Sequence, residues 1–400
     1  MANSPSLPSR AVKLLETHRR GLPRYAGAVS PNPENFPAPE PSPTEPGEAS
    51  FHLAPNGQAG KVLGCLLGGA LGDALGYAVE FSKLSEIRAA FGPDGLRDFA
   101  ALPSPVPFSD DTQMTLYTLD GLLEALEWAN QGLGADETAC IWLAYLRWLK
   151  TQGVPLDPGA PSPPLRWIDS QTVLHQRRAP GNACISGLSG PDMGTKFRPV
   201  NPDSKGCGTV MRSAPFGLLP YVESEMVYRL SEDAAALTHG HPSALHSAAV
   251  FSALIHDLLA SDASLQQAAD EAVRRAADSG VPELSARLTA AVDLARSGPV
   301  APEALTAALG EGWVAEEALA IALYSALATV SAGSPQEHFR AALALAVNHD
   351  GDSDSTGSVT GNILGTLYGT GALPASWVAA LEGRDVIEEL ARQFTAATAG

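Results

Sequence analysis

The sequence predicts an all-α protein, and three observations carry the prediction. From about residue 60 onward Ala and Leu recur at helical spacing, over 119–128, 141–149, 244–259, 302–309, 316–330 and 338–347. Alternating runs of β-branched residues, the mark of strands, are nearly absent. Of the 400 residues, 45% are hydrophobic, ample for a core. The length allows two or three domains of roughly 100 to 200 residues each. A single compact orthogonal helical bundle over 58–400 is preferred, because acidic motifs on both sides of its longest interruption make sense only if they meet.

The chain opens on a Pro-rich arm, residues 1–57. Eleven of the 32 prolines fall in the first 55 residues, and 30–50 is almost entirely Pro, Ser, Glu, Ala and Asn. Such a segment buries too little apolar surface to offset its ordering entropy, so a flexible arm is expected, with a short helix at 11–20. Residues 1–30 lack the continuous apolar core of a secretion signal. The most hydrophobic window, 62–81, is long enough to span a bilayer but carries Asp73, Glu80 and about a quarter glycine; it reads as a buried helix of a soluble protein. Cys65, Cys140, Cys184 and Cys207 form no CxxC pair, so neither a structural zinc site nor a disulfide framework is indicated, and a reducing cytoplasm fits.

Residues 152–205, rich in Pro, Gly and Ser, form the one long interruption without a sustained helical pattern. Loops of that size inside a domain tend to be functional. The net charge of −18, from 44 acidic and 26 basic side chains, argues against nucleic acid or an anionic membrane as a general partner. A local exception is 171–212, where Arg177, Arg178, Lys196, Arg198, Lys205 and Arg212 stand against Asp192 and Asp203. That segment offers a place for a small anionic ligand.

Two helical segments carry one glycine stripe each, Gly64, Gly68, Gly72 and Gly76 in the first and Gly357, Gly361, Gly365 and Gly369 in the second. Glycine costs about 1 kcal/mol relative to alanine inside a helix, so the pattern needs compensation, and close backbone approach is the usual one. Asp73 and Glu80, two turns apart on the first stripe, project from one side, and buried carboxylates need a counter-charge. Before the second stripe comes Asp350-Gly351-Asp352-Ser353-Asp354-Ser355-Thr356. It is not an EF-hand loop, since Ser355 stands where that loop needs glycine and Gly361 where it needs the bidentate acid.

A third acidic cluster is Ser109-Asp110-Asp111-Thr112-Gln113. Taken alone, Asp110 with Gln113 is a capping box and Asp111 a favourable first-turn charge. Taken with the other clusters, the carboxylates and hydroxyls supply the hard-oxygen ligands of Mg²⁺ or Mn²⁺, and without a cation their mutual repulsion would be severe.

These motifs, with Lys205-Gly-Cys-Gly-Thr-Val-Met-Arg212, Leu237-Thr-His-Gly-His-Pro242, Gly312-Trp-Val-Ala-Glu-Glu317 and Asn348-His-Asp-Gly-Asp-Ser-Asp-Ser355, give a chain that resembles the ADP-ribosylglycohydrolases over about residues 60–368. Dinitrogenase-reductase-activating glycohydrolases and ADP-ribosylarginine and ADP-ribosylserine hydrolases belong to that family. The resemblance implies an all-α bundle with a binuclear site of two Mg²⁺ or Mn²⁺ ions that hydrolyses the bond between ADP-ribose and an acceptor, arginine among the candidates. The metal ligands it implies are Ser109, Asp110, Asp111, Asp352, Asp354 and Ser355, with Ser where the family usually has Thr at the first and last. Catalytic roles fall on Glu80, the candidate acid/base, and on Asp111 and Asp354. Cleavage at the ribose C1″ passes through an oxocarbenium-like state that needs an activated water and a proton donor, which agrees with that set.

On the substrate side the resemblance implies contacts from Ser204, Lys205, Gly206, Cys207 and Gly208 to the pyrophosphate or distal ribose. His239 would lie near the phosphates and Asn182 beside the substrate. The loop also reads independently as a phosphate cradle, because Gly206 and Gly208 permit close approach. Cys207 replaces the family's usual Asn. Asp73 is either a substrate contact or an acceptor for neighbouring backbone N–H groups. The segment 313–327 reads as core, with Glu316 and Glu317 as solvated or first-turn charges. The expected partner is an ADP-ribosylated protein or small molecule, and the expected state a cytoplasmic monomer. The rival readings are a hydrolase of an ADP-ribosylated nucleobase or other small compound, or a non-catalytic binding relative.

Overall fold

The computed structural model describes residues 57–261 and 263–399, and within them the protein is all-α. Pairings of β type are isolated bridges, such as Val106 with Leu381. Save for Gly57, the arm and its short helix lie outside the described residues.

The first half contains α1 (Gln58–Tyr77), α2 (Leu84–Phe91), α3 (Asp110–Asn130), α4 (Glu137–Thr151), α5 (Asn182–Leu188), α6 (Ala214–Gly217) and α7 (Ser224–Ala235). The second contains α8 (Pro242–Ala260), α9 (Leu265–Asp278), α10 (Pro282–Ala295), α11 (Pro302–Leu309), α12 (Ala315–Ala328) and α13 (Pro335–Val347). The chain closes with α14 (Ser353–Tyr368), α15 (Ala375–Ala380) and α16 (Arg384–Ala399). Local signals set many of the boundaries. Pro occupies the first turn of α8, α10, α11 and α13, where its missing N–H is no loss, and Ser264 with Gln267 and Ser334 with Glu337 close capping boxes.

The two glycine stripes meet. A Cβ added to Gly64, Gly68 or Gly72 would fall 2.4, 2.4 or 2.0 Å from the carbonyl oxygens of Gly365, Gly361 and Gly357, and the reverse additions collide equally. The helices α1 and α14 therefore run antiparallel with their backbones in contact, which any larger residue would prevent. Gly76 faces Ser353 in the same way, so the end of α1 lies against the start of α14. Gly369, last of the second stripe, lies just past the helix at φ 67° and ends it.

One contiguous apolar core runs from Val62 to Phe394. Within it α12 is buried all round. By length and composition α8 could cross a membrane, but 83% of its apolar window is inside the bundle. The interruption 152–205 contains α5 and the short turns Trp167–Ser170 and Thr172–His175, and no sustained helix. A buried ion network fastens it: the Arg147 guanidinium pairs with Asp120 and lies 3.1 Å from Asp169, while Arg166 reaches Asp120 at 2.9 Å and Glu127 at 3.0 Å.

Candidate active site

The start of α3 is built by Ser109 and Asp73. Ser109, not Asp110, is the N-cap, accepting a hydrogen bond from Asp111 N at 3.2 Å. The expected box with Gln113 does not form, because that amide donates to Gln176 O and accepts from Trp148 and Gln152. Asp110 and Asp111 are thus left over from capping, both buried. Asp73 accepts from Ser109 N at 2.9 Å, Thr112 N at 3.0 Å and Thr112 Oγ1 at 2.5 Å. Both of its oxygens are occupied in fixing the α3 terminus, which favours the acceptor reading over substrate contact.

The start of α14 is set by a strained turn. Gly351 sits at φ 140°, and a Cβ there would lie 1.9 Å from Glu311 O. Asp352 N donates to Glu311 O at 2.9 Å, and its carboxylate caps α14 by accepting from Ser355 N. Ser355 N also donates to Asp354 Oδ1 at 2.9 Å. Asp350 stands apart and instead caps α2, accepting from Leu84 N at 2.6 Å.

Glu80 does not continue the face of α1. The helix ends at Tyr77, and Glu80 lies in the following turn, closed by Val79 N to Gly76 O and Ser82 N to Val79 O, both 2.9 Å. That turn, carried against α14 by the glycine contact, brings Glu80, Asp352 and Asp354 together, with one carboxylate oxygen of each within 4.8 Å of the others. Asp110 and Asp111 face the same charges. Burial, then Asp354, pushes the Glu80 carboxyl up to about 9 and Asp73 to about 7. The same two causes hold Asp110, Asp111 and Asp352 well above the usual carboxylate range. Such a cluster is stable only with protons or cations among the acids. Glu80 Oε2, Asp111 Oδ2 and Asp352 Oδ2 are buried without a hydrogen-bond partner among the described residues. Unpaired hard oxygens from three segments are a donor set that fits divalent Mg²⁺ or Mn²⁺.

The loop 204–208 runs alongside. Cys207 N donates to Trp313 O at 3.2 Å and Ala315 N to Lys205 O at 2.9 Å, which seats the loop on the start of α12. The Cys207 side chain adjoins Asp352 and Ser355. Ser204 O accepts from His241 N at 3.2 Å, and a Cβ on either Gly206 or Gly208 would come 3.5 Å from His239 Nε2. Burial, then Arg212, pushes His239 down to about 3, so it is neutral. Asn182 opens α5, and the preceding Gly181 N lies 3.4 Å from Asp110 Oδ2.

Three expectations are corrected here. Glu316 is the first-turn charge of α12 but not a solvated one: it is buried, ion-paired to Lys205 and accepting from Ser243 Oγ at 2.6 Å, so Lys205 is not an uncommitted phosphate ligand. Trp313 is not core: it is 41% exposed and precedes α12. The basic stretch 171–212 is largely neutralised, since Arg178 pairs with Glu382, Lys196 with Glu232 and Asp233, and Arg198 with Asp192.

One feature had no separate sequence signal. Phe81, next to Glu80 and 73% exposed, lies nearly parallel to Trp313, with centroids 6.5 Å apart and planes at 21°. The GWV motif marked Trp313, but nothing in the spacing linked it to a residue more than two hundred positions earlier.

Glycine-packed helices that hold buried carboxylates beside a glycine loop are the features this all-helical bundle brings to the comparison with known proteins. The chain belongs to the ADP-ribosylglycohydrolase family, whose model, described as ADP-ribosylglycohydrolase, matches residues 54–400. It is 29% identical over 342 residues to an uncharacterized protein of Archaeoglobus fulgidus, covering 84% of this chain and 95% of that one. A solved structure titled ADP-ribosylglycohydrolase-related protein complex superposes with a TM-score of 0.55 at 25% identity, covering 85% of this chain and 99% of that one. Family membership supports glycohydrolase chemistry on ADP-ribosylated substrates.

Proposed function

We propose that this protein removes ADP-ribose from an acceptor by hydrolysing the C1″ glycosidic bond, with two Mg²⁺ or Mn²⁺ ions as cofactors and a guanidinium, as on protein arginine, as the acceptor. The observation that carries the reading is the convergence of Glu80, Asp352 and Asp354 at the junction of α1 and α14, beside the loop 204–208. Ser109, Asp110, Asp111, Asp352, Asp354 and Ser355 are the residues that would hold the ions. When bound, such ions neutralise the acids and polarise oxygens near them. Glu80, on a turn rather than a helix, is placed to move a proton at the glycosidic bond or at the attacking water. Ser204, Gly206, Cys207, Gly208 and His239 line the side where a pyrophosphate fits. Phe81 and Trp313 supply flat, exposed faces at the rim; Trp is the best cation–π partner, which supports a planar cation as leaving group.

The same aromatic faces suit a nucleobase, so the discriminating experiment is a panel of ADP-ribosylated arginine, serine, cysteine and nucleobase substrates, assayed for free ADP-ribose with added metal. Turnover highest on arginine is the expected result. Turnover of the nucleobase conjugate alone moves the assignment to small compounds, and no turnover of any points to a non-catalytic relative. A cytoplasmic monomer completes the proposal; Cys65, Cys140, Cys184 and Cys207 are all unpaired thiols, as a reducing compartment requires.

A further inference from the structure

Arg212 is 1% exposed, yet no carboxylate pairs with it among the described residues. Its neighbours are the Tyr145 ring at 4.5 Å, Cys184 Sγ at 3.4 Å, Met114 Sδ at 3.8 Å and Thr238 Oγ1 at 2.8 Å. A buried guanidinium without a counter-charge is costly to keep, and it projects positive potential onto whatever lies near it. Cys184 links it to the glycine loop: Cys184 Sγ, which Arg212 touches, is 3.8 Å from Gly208 O.

The hydrogen bonds around Arg212 fix more than its own position. A guanidinium only donates, so Thr238 Oγ1 accepts from it. Thr238 is fully buried, and the other partner of its hydroxyl among the described residues is His239 Nδ1, at 2.7 Å. A hydroxyl carries one proton and two lone pairs, so of the two neutral tautomers only Nε2–H gives that buried proton an acceptor, Nδ1, among the described residues. That leaves the ring proton on Nε2. His239 is 1% exposed, Nε2 has no hydrogen-bond partner among the described residues, and it is the ring nitrogen beside Gly206 and Gly208.

We propose that Arg212 and Thr238 are positioning residues that hold His239 as the neutral Nε2–H tautomer, its N–H kept for an oxygen of an anionic ligand lying on loop 204–208. The relay supplies a donor and a distant buried charge behind the loop, whereas Lys205, partly exposed, is already paired with Glu316. This inference rests on the ligand class proposed above, but its first readout does not.

The test uses the whole protein labelled with ¹⁵N-histidine, its His239 signals assigned with His239→Gln. Long-range ¹⁵N–¹H correlations should show Nε2–H as the form in the wild type and in Thr238→Ser, and a shift toward Nδ1–H or a mixture in Thr238→Val. Calorimetry with ADP-ribose as the probe should show about tenfold weaker binding for Thr238→Val and within about twofold of wild type for Thr238→Ser. An Nδ1–H or imidazolium form in the wild type overturns the relay, as does unchanged ADP-ribose affinity in a Thr238→Val protein whose tautomer has shifted. A wild type that has the Nε2–H form but does not bind ADP-ribose overturns the ligand assignment instead.

Discussion

Gly72 and Gly357 touch through their backbones: a Cβ on Gly72 would lie 2.0 Å from the Gly357 carbonyl oxygen, and one on Gly357 would lie 2.4 Å from that of Gly72. The contact sits one turn from Gly76 and Ser353, where the helices deliver Glu80 and Asp352 to each other.

Gly72→Ala should therefore push α1 and α14 apart rather than improve helix propensity. Overpacking of this kind costs about 3 kcal/mol, which for a chain this long lowers Tm by about 4 °C. Thermal unfolding checks it, with Gly92→Ala as a control where a Cβ meets nothing within 4 Å, although its positive φ makes a small loss expected there too. An unchanged Tm in Gly72→Ala would mean that the helices are not in backbone contact.

The acid cluster predicts how metal and pH interact. Glu80 and Asp73 titrate higher in the folded, cation-free protein than in the unfolded chain, at about 9 and 7 against 4.5 and 3.8. The folded state then holds protons that the unfolded state has released, so stability is lost as pH rises from about 4 through 9. A divalent cation bound among these acids should replace those protons and flatten the slope. Neutral buried histidines such as His239 act oppositely, losing stability as pH falls below 6.5. The readout is accordingly the difference in Tm between metal-loaded and chelated protein, which should widen from pH 5 to 9; a difference independent of pH would contradict the cluster.

Glu80→Gln and Asp352→Ala should fail in different ways. Glu80→Gln should lower kcat by about 10²- to 10⁴-fold while Mn²⁺ still binds. Asp352→Ala should abolish both Mn²⁺ binding and turnover with helicity intact by circular dichroism. Full activity in Asp352→Ala would sink the proposed function. Chelated wild type should recover with Mg²⁺ or Mn²⁺ and not with Zn²⁺ alone, because the donors are hard oxygens.

Arg147→Met should leave the buried Asp169 without its ion partner and Asp120 with Arg166 alone. Breaking such a network by removing one member costs about 3–5 kcal/mol. The loss should be read as a lower denaturant midpoint together with faster proteolysis inside 152–205. Lower stability without new cleavage in that loop would show that the network holds α3 to α4 and not the loop.

Phe81→Ala with Trp313→Ala should raise KM for an ADP-ribosylarginine peptide about tenfold while leaving ADP-ribose affinity within about twofold. A cation–π contact worth about 1–2 kcal/mol sets that scale. Equal losses on both ligands would place the rings on the ADP-ribose side.

Much of this was legible in the sequence because helices announce themselves locally. The glycine stripes implied a close crossing, and the acid runs at 109–111 and 350–355 implied that helix starts would meet. What the sequence hid depends on which residue ends a helix or which charge finds which partner. Glu80 stands two helical turns after Asp73, but α1 stops at Tyr77, so the rotation does not carry through. Ser109 outcompetes Asp110 for the cap because Gln113 is drawn to Trp148 and Gln152. Lys205 and Glu316 are 111 positions apart, and no spacing rule relates them.

The pairing of α1 with α14 also orders events in time. Residues near 72 must find residues near 357, and closing so long a loop comes late in folding because its entropy is not repaid until the contact forms. During synthesis Asp73, Glu80, Asp110 and Asp111 emerge well before Asp352 and Asp354, so a growing chain carries four of the clustered acids without the two that α14 brings. The acid cluster is therefore complete only when α14 is docked against α1.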